Sequence, residues 1–267
     1  MSSKHQQQPQ SSNNSSGENI LEVSGLRKSF EGLHAIDGVD LKVKRGSITG
    51  LIGPNGSGKS TLFNVIGGTI RRDAGVIVFD GRKIDLLQPH KIFKLGLGRT
   101  FQTPRLFFGM TVLENALLVP KDQKGENPLN AMFHQRWDEE ELGNAKKASE
   151  LLEFLEIKQL YDKWSSDISG GQMKLLQLAA AFMGDPKMLM LDEPAAGVAP
   201  RLARDIFKSI ETRRKRAGTT FLIIEHRLEI LFDFVDYVYV MSRGKVIAEG
   251  KPDQVVKEQS VIDAYLG

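Results

Sequence analysis

Short apolar runs alternate along the chain with segments of helical spacing. The runs "ITGLIG", "KMLMLDEP" and "FLIIEH" have the pattern of strands that are buried on both faces of a parallel sheet. "GVIVFDG" is typical of a strand that ends in a turn, and "YVYVMSRGKVIAEG" is typical of a strand hairpin. From Ile20 onward the first segments are also strand-like and short. The alternation predicts an α/β core.

The middle of the chain has a different pattern, from about Val112 to Ser165. It contains helical spacing in "NAKKASELLEFLEI" and no clear strand. A further helix is predicted in "QMKLLQLAAAFMGDP", where Gly184 and Pro186 follow the last apolar residues and end it. These segments predict a helical subdomain inserted into the α/β core.

Composition excludes several classes of protein. Residues 1–19 are polar and low in complexity, so we expect a disordered tail and no secretory signal. No run approaches the about 18 apolar residues of a membrane span, so a link to a membrane is expected only through a partner. The chain has no cysteine, which excludes disulfides and thiolate chemistry. A net charge of +3 is too small to indicate nucleic-acid binding, and we expect none.

The segment "GPNGSGKST" matches the phosphate-loop pattern G-x-x-x-x-G-K-[ST] and lies between an apolar strand and a predicted helix. Its glycines allow backbone N–H groups to close around phosphate oxygens. We expect Lys59 to reach the β- and γ-phosphates and the Ser60 hydroxyl to bind Mg²⁺. The predicted nucleotide-binding residues here are Gly53, Pro54, Asn55, Gly56, Ser57, Gly58, Lys59, Ser60 and Thr61.

Acidic side chains follow the buried strand of "MLMLDEP". In a phosphate-loop protein, Asp192 at this position is expected to hold Mg²⁺. Glu193 is placed to take a proton from an attacking water, although a solvated loop acid is the alternative. His226 follows the strand "FLIIE", and strands of an open parallel sheet end at one ligand-binding edge. We therefore predict a contact to the γ-phosphate, with a structural hydrogen bond as the alternative.

The segment "SDISGGQMKLL" contains two adjacent glycines at a predicted helix start. Ser169 and Gln172 fit the S-x-x-Q capping box, which gives the pair a purely structural explanation. Exposed backbone N–H groups at the positive end of a helix also bind anions. Both interpretations are compatible with the sequence.

Taken together, these motifs resemble those of the ATP-binding subunits of ABC transporters, over residues 20–267. The family has a phosphate loop, a glutamine loop, an LSGGQ-type signature, an Asp-Glu pair and a switch histidine, in that order. The matching segments are "GPNGSGKST", Gln102 in "RTFQTPRLF", "ISGGQ", "LMLDEP" and His226. The resemblance implies a P-loop NTPase (RecA-like) core with an antiparallel β subdomain and an inserted α-helical subdomain, at approximately residues 104–165.

The resemblance also implies cofactors and roles. ATP and Mg²⁺ would bind, Glu193 and His226 would serve catalysis, and Gln102 would sense the metal and the attacking water. Phe30 would stack on adenine, or else be a strand core residue. In the family each signature closes on the other subunit's ATP. The signature residues are Ser169, Gly170, Gly171 and Gln172, and the metal-binding residues are Ser60, Gln102 and Asp192.

Two positions depart from the family pattern. Ile168 replaces the usual leucine of the signature, a change of nearly equal volume. Ala199 stands where the family commonly has Asp or Asn, in a loop that couples the two ATP sites. Alanine accepts no side-chain hydrogen bond, so we expect weaker or one-sided coupling with hydrolysis retained.

The phrases "GLGRTFQTPRLFFGMTVLENALL" and "VIDAYLG" resemble LivG-type subunits of branched-chain and hydrophobic amino-acid importers. This likeness implies a second, different ABC ATPase subunit, two integral membrane permease subunits and, indirectly, a solute-binding protein. The chain would lie at the cytoplasmic face of the inner or plasma membrane. Alternatives are an importer of urea or short amides, a soluble ABC ATPase, a kinase-like phosphate-loop protein and a non-hydrolysing subunit.

An apolar cluster follows the glutamine loop and consists of Leu106, Phe107, Phe108 and Met110. We expect it either to form part of a partner-binding groove or to pack within the helical insert.

Overall fold

A computed structural model describes residues 18–120 and 138–266 and shows a framework of two β-sheets. The strands are β1 (Asn19–Phe30), β2 (Leu33–Lys44), β3 (Ile48–Ile52), β4 (Ala74–Phe79), β5 (Arg82–Lys83), β6 (Leu97–Arg99), β7 (Met188–Asp192), β8 (Thr220–Ile224), β9 (Tyr237–Ser242) and β10 (Lys245–Gly250). One sheet has four strands in the order β2-β1-β4-β5. The other has six, in the order β10-β9-β3-β8-β7-β6.

Helices of the described residues surround these sheets. They are α1 (Lys59–Ile66), α2 (Pro89–Leu95), α3 (Val112–Leu117), α4 (Asp138–Phe154), α5 (Gly170–Met183), α6 (Pro200–Ala217), α7 (Leu228–Leu231), α8 (Pro252–Val255) and α9 (Gln259–Leu266), with a 3₁₀ turn at Lys158–Leu160. Each of these helices is too short or too polar to cross a lipid bilayer.

The central strands of the six-stranded sheet are buried on both faces. β3, β8, β7 and β6 run parallel, and β10 pairs antiparallel with β9. Successive side chains of a strand point to opposite faces, so Met188 and Met190 enter one hydrophobic core while Leu189 and Leu191 enter another. This arrangement confirms the predicted α/β core and the strands predicted from the apolar runs.

The four-stranded sheet is antiparallel, and its first strands are longer than the sequence predicted. β1 and β2 each have 12 residues, where short strands were expected. Register shifts between Val23 and Leu26 allow the pairing to continue past Gly25. Residues 1–17 of the predicted tail lie outside the described residues, and Asn19 already belongs to β1.

The helical part of the chain packs on one face of the six-stranded sheet. Helices α3, α4 and α5 contact one another, and their apolar residues join the same core as Phe221 and Ile223 of β8. α4 and α5 confirm the helices predicted from spacing in these segments. Residues 121–137, which fall within the predicted insert, lie outside the described residues.

Parallel pairing brings the carboxyl ends of β3, β7 and β8 to one edge of the sheet. Asp192 pairs with Ile224 across β7 and β8, and Ile224 pairs with Leu51 of β3. The segments that follow these strands are therefore neighbours. They contain the phosphate loop, Glu193 and His226.

Candidate nucleotide site

The phosphate loop connects β3 to α1 and depends on glycine at two positions. Gly53 has φ 144°, and a Cβ there would lie 2.0 Å from the carbonyl oxygen of Met241. Gly58 has φ 102°, and its Cβ would lie 2.3 Å from the carbonyl oxygen of Ala35. Since the obstructing atoms are backbone, only glycine fits at these positions.

Lys59 folds back onto the loop that precedes it. Its Nζ donates hydrogen bonds to the carbonyl oxygens of Gly53, at 2.7 Å, and Pro54, at 2.9 Å. The side chain is 6% exposed, and burial lowers its pKa, although the nearby Glu193 and Asp192 carboxylates act in the opposite direction. The ammonium group is thus held inside the loop.

Glu193 is the centre of a cluster contributed by three segments. The Gln102 Nε2 group, after β6, donates a hydrogen bond of 2.8 Å to Glu193 Oε2. The His226 Nε2 atom, after β8, lies 3.0 Å from Glu193 Oε1. The Glu193 backbone is left-handed, with φ 49°, and its N–H donates to the carbonyl oxygen of Ile224 at 2.9 Å. The three residues that the sequence predicted for catalysis therefore meet at one carboxylate.

Asp192 is buried next to this cluster. Burial raises its pKa, while Arg99, whose Nη2 atom lies 3.4 Å from Asp192 Oδ2, lowers it. Arg99 also donates a 2.7 Å hydrogen bond to Asn64 Oδ1. A long ion pair leaves this buried carboxylate incompletely neutralised, and a bound cation would stabilise it.

The residues present fit a Mg²⁺ ion held jointly with phosphate oxygens. Among the described residues, no group of three or more His, Cys, Asp or Glu side chains forms a metal cluster. Mg²⁺ commonly takes one or two protein carboxylates together with substrate phosphates and waters. Asp192, the Ser60 hydroxyl on α1 and the Gln102 amide provide oxygen donors of this kind.

The signature segment begins α5. Ser169 is the N-cap: its Oγ accepts from the Gln172 N–H at 3.3 Å, and Gln172 Oε1 accepts from the Ser169 N–H at 2.8 Å. The predicted capping box is therefore confirmed. A Cβ on Gly171 would lie 2.5 Å from Leu202 Cδ2, whereas a Cβ on Gly170 would meet no atom within 4 Å. A side chain at position 171 would displace the end of the Leu202 side chain, whereas packing places no constraint on position 170.

Phe30 ends β1 and is 42% exposed. The alternative that it is a strand core residue is therefore wrong. The Lys28 ammonium lies 5.2 Å from the centre of its ring. An exposed aromatic ring with a neighbouring cation is available for stacking.

The apolar cluster after the glutamine loop divides between core and surface. Leu106 packs against the helical core, whereas Phe107 and Phe108 are 61% and 54% exposed. The Phe107 backbone is fixed: Asn115 Nδ2 and Ser165 Oγ donate to its carbonyl oxygen at 3.0 and 2.8 Å. Both rings are exposed, so packing within the helical insert does not account for them.

Sequence reasoning missed two cations beside the site, the partly buried Arg99 and the buried Lys174. Lys174 lies on α5, four residues before Leu178 and eight before Phe182, both of which are buried. Helix positions four and eight residues apart lie on the same face. The alignment of Lys174 with these apolar residues was therefore the sequence signal that could have identified it. Arg99 ends a short strand, and nothing in the sequence indicated its pairing with Asp192.

Two family models match the chain. A model described as "ABC transporter" matches residues 36–196. A second, described as "Branched-chain amino acid ATP-binding cassette transporter", matches residues 245–267.

Named relatives match over nearly the whole length. The chain is 45% identical over 252 residues to "Probable branched-chain amino acid transport ATP-binding protein LivG" of Methanocaldococcus jannaschii, covering 93% of this chain and 97% of that protein. It is 36% identical over 248 residues to "Lipopolysaccharide export system ATP-binding protein LptB" of Haemophilus influenzae, covering 93% and 97%.

A solved structure agrees with the fold. It is described as a nucleotide-free ATP-binding cassette from an ABC transporter, and it aligns with TM-score 0.81 and 43% identity over 93% of this chain and 99% of its own. The P-loop NTPase fold and the family predicted from the motifs are confirmed. The chain belongs to the ATP-binding subunits of ABC transporters and is an ATPase coupled to transport.

Proposed function

We propose that this chain is the ATP-hydrolysing subunit of an importer for branched-chain or other hydrophobic or neutral amino acids. The observation that carries its chemistry is the Glu193 carboxylate, which Gln102 and His226 hold beside the phosphate loop. The substrate class rests on the match of residues 245–267 and on relatives named for branched-chain amino-acid transport. We also propose that the ABC domain spans residues 20–267 and that residues 104–165 are its helical insert.

Nucleotide binding would use the phosphate loop and Phe30. Loop N–H groups surround the phosphates, and Lys59 turns from the carbonyl oxygens of Gly53 and Pro54 towards the β- and γ-phosphates. The exchange replaces hydrogen bonds from the ammonium to neutral carbonyl oxygens by bonds to anionic phosphate oxygens, in which both groups are charged. Phe30 stacks on the adenine ring.

Hydrolysis would be a single displacement at the γ-phosphorus. A water oxygen attacks the phosphorus, Glu193 accepts the proton of that water, and the bond to the β-phosphate oxygen breaks to release ADP. His226 contacts the γ-phosphate, and Gln102 orients the water. Mg²⁺, when bound by Ser60, Gln102 and Asp192, supplies positive charge that neutralises the phosphates.

The signature would act on a second subunit's ATP. In the described residues no hydrogen bond joins Ser169, Gly170 or Gly171 to the phosphate loop of the same chain. Gly170 faces open space at a helix N-terminus, where backbone N–H groups favour an anion. We propose that Ser169, Gly170, Gly171 and Gln172 contact ATP held by a partner ABC ATPase, which is a different chain.

The membrane partners would dock on the exposed rings of Phe107 and Phe108. These rings follow Gln102 by a few residues, so a movement of the glutamine loop reaches them directly. We propose two permease subunits as the partners, a solute-binding protein as an indirect one, and a peripheral position at the cytoplasmic face of the membrane.

Purification from detergent-solubilised native membranes, followed by mass spectrometry, tests this assembly. The expected result is co-purification of multi-span proteins and a second ABC ATPase, and a Phe107→Ser/Phe108→Ser variant should lose the multi-span proteins while retaining ATP hydrolysis. The accompanying binding protein should bind branched-chain amino acids in preference to urea or short amides. Recovery of only soluble proteins, or of lipopolysaccharide-transport components, would contradict the proposal.

A further inference from the structure

Lys174 is a buried cation that the reaction described above does not use. It lies on the second turn of α5, five residues after the N-cap Ser169, and is 9% exposed. A lysine is seldom buried unless its ammonium group has partners, because removing the charge from water is costly. Its contacts therefore indicate what it does in this position.

The Lys174 ammonium joins the two segments that carry the hydrolytic residues. Its Nζ donates a short hydrogen bond to the carbonyl oxygen of Gln102. It also donates to the carbonyl oxygen of Glu193 at 3.3 Å. The side chains of these same two residues meet at 2.8 Å. One ammonium group thus fixes the backbone on both sides of the Gln102–Glu193 contact.

Glu193 needs such support because its backbone is in the left-handed region, with φ 49°. A non-glycine residue is strained in that conformation and is held in it by its surroundings. Its N–H bonds to Ile224, and its carbonyl oxygen accepts from the Ala196 N–H at 3.1 Å as well as from Lys174. Of these three hydrogen bonds to the Glu193 backbone, the one from Lys174 comes from α5, the helix that begins with the signature.

Nearby carboxylates offset part of the cost of burying this ammonium group. Burial lowers the pKa of Lys174, and the carboxylates of Glu193, Glu225 and Asp192 act in the opposite direction. These acids lie at the ends of neighbouring strands β7 and β8. A cation at this position offsets their mutual repulsion.

We propose that Lys174 is a positioning residue that transmits movement of the signature helix to the hydrolytic cluster. When α5 shifts as Ser169 and its neighbours engage a partner's ATP, the ammonium moves the carbonyl oxygens of Gln102 and Glu193 with it. The two side chains, which already meet in this chain, then move together relative to the bound γ-phosphate. This inference rests on the proposed roles of Gln102 and Glu193.

A matched control is available on the helical insert. Lys147 of α4 also donates to a carbonyl oxygen of α5, that of Met183, at 3.0 Å, and it pairs with Asp185. It therefore anchors the other end of the same helix without touching the hydrolytic cluster. Lys147→Met removes a lysine–carbonyl contact of the same kind and should leave turnover unchanged.

The test compares Lys174→Met, Lys174→Arg and Lys147→Met in the transporter complex, with KM for ATP, kcat and the melting temperature measured for each. For Lys174→Met we expect kcat to fall about 10- to 100-fold with KM for ATP within about twofold, because misplacement affects the chemical step and not binding. Lys174→Arg, which keeps a cationic donor, should retain kcat within about threefold. If Lys174→Met does not fold, Lys174→Gln replaces it with the same expectation.

Two results would overturn the inference. One is a Lys174→Met enzyme with kcat within twofold of the wild type. The other is a loss of kcat that Lys147→Met reproduces, since that would reflect helix anchoring alone. A Glu193→Gln enzyme distinguishes this failure from failure of the proposed function. If that enzyme is inactive and Lys174→Met is normal, only the coupling role is wrong; if it hydrolyses ATP normally, the proposed site itself is wrong.

Discussion

Ala199 shows how a single residue changes a helix end. It is the N-cap of α6, with φ −61° and ψ 149°, and its side chain makes no capping hydrogen bond. The first turn of α6 also carries no acidic residue. An N-cap Asp or Asn accepts from a backbone N–H that is otherwise unpaired within the helix, and it interacts favourably with the positive helix end. The alanine therefore has a local cost in addition to the predicted weakening of coupling.

Replacing Ala199 by Asp should stabilise the nucleotide-free protein by about 1 kcal/mol, because the new carboxylate caps α6. Chemical denaturation measures the change in the free energy of unfolding. Ala217→Asp is the matched control, since the exposed Ala217 is the last residue of the same helix. There the carboxylate meets the negative helix end, and stability should fall. Equal changes in the free energy of unfolding for Ala199→Asp and Ala217→Asp would contradict the capping explanation.

At the residue scale, local motifs were predictable and long-range contacts were not. The phosphate loop follows from consecutive residues, because Gly53 and Gly58 are required by the path of the loop itself. The contact of Lys174 with Gln102 joins residues that are 72 positions apart, and it exists only once α5 packs on the sheet. The exposure of Phe30 could not be predicted either, because the sequence around an aromatic strand residue looks the same whether its side chain is buried or exposed.

At the scale of elements, Asp80 links the two sheets. It follows β4 of the four-stranded sheet, and its carboxylate pairs with Lys187, just before β7, and with Arg45, before β3, each at 2.6 Å. The hydrogen bond from Lys187, followed by that from Arg45, lowers the pKa of Asp80. These contacts connect segments that are distant in the chain.

An Asp80→Asn variant should lose up to about 1 kcal/mol of stability at pH 7, because two partly exposed ion pairs disappear. The contribution of the wild-type carboxylate is present above its unfolded pKa of 3.8 and is lost as pH falls through its lowered folded value. The difference in the free energy of unfolding between the wild type and Asp80→Asn should therefore shrink as the pH falls from 7 towards 3. Chemical denaturation at several pH values in this range measures it. Asp162→Asn is the control, because no ion pair of Asp162 occurs among the described residues, and it should leave stability at pH 7 unchanged.

Element types were predictable because periodicity is strong in this chain, and lengths were less so. The apolar runs became strands of the central sheet, whereas β1 and β2 extend to 12 residues. Their length depends on register shifts and on pairing with β4, which are properties of the sheet and not of either strand. The order of the strands in the six-stranded sheet was likewise set by packing between distant segments.

At the scale of the whole molecule, the residues that we propose for hydrolysis lie at one edge of the central sheet, and the surfaces that we propose for contact with partners lie on the helical part and the loop before it. The signature at the start of α5 and the exposed rings after Gln102 both lie outside the phosphate loop. Lys174, on the helix that begins with the signature, contacts the backbone of both Gln102 and Glu193. This arrangement fits our proposal that a second ATPase and the membrane partners contact the chain away from its own phosphate loop.

The most direct test of the account is the steady-state ATP hydrolysis of a Glu193→Gln transporter, with ATP binding measured on the same protein. Because a general base contributes about 10²- to 10⁴-fold, we expect turnover to fall by at least about 100-fold. ATP binding should be retained, since Lys59 and the phosphate loop are unchanged. Turnover close to that of the wild type would show that Glu193 is not the base and would contradict the proposed site.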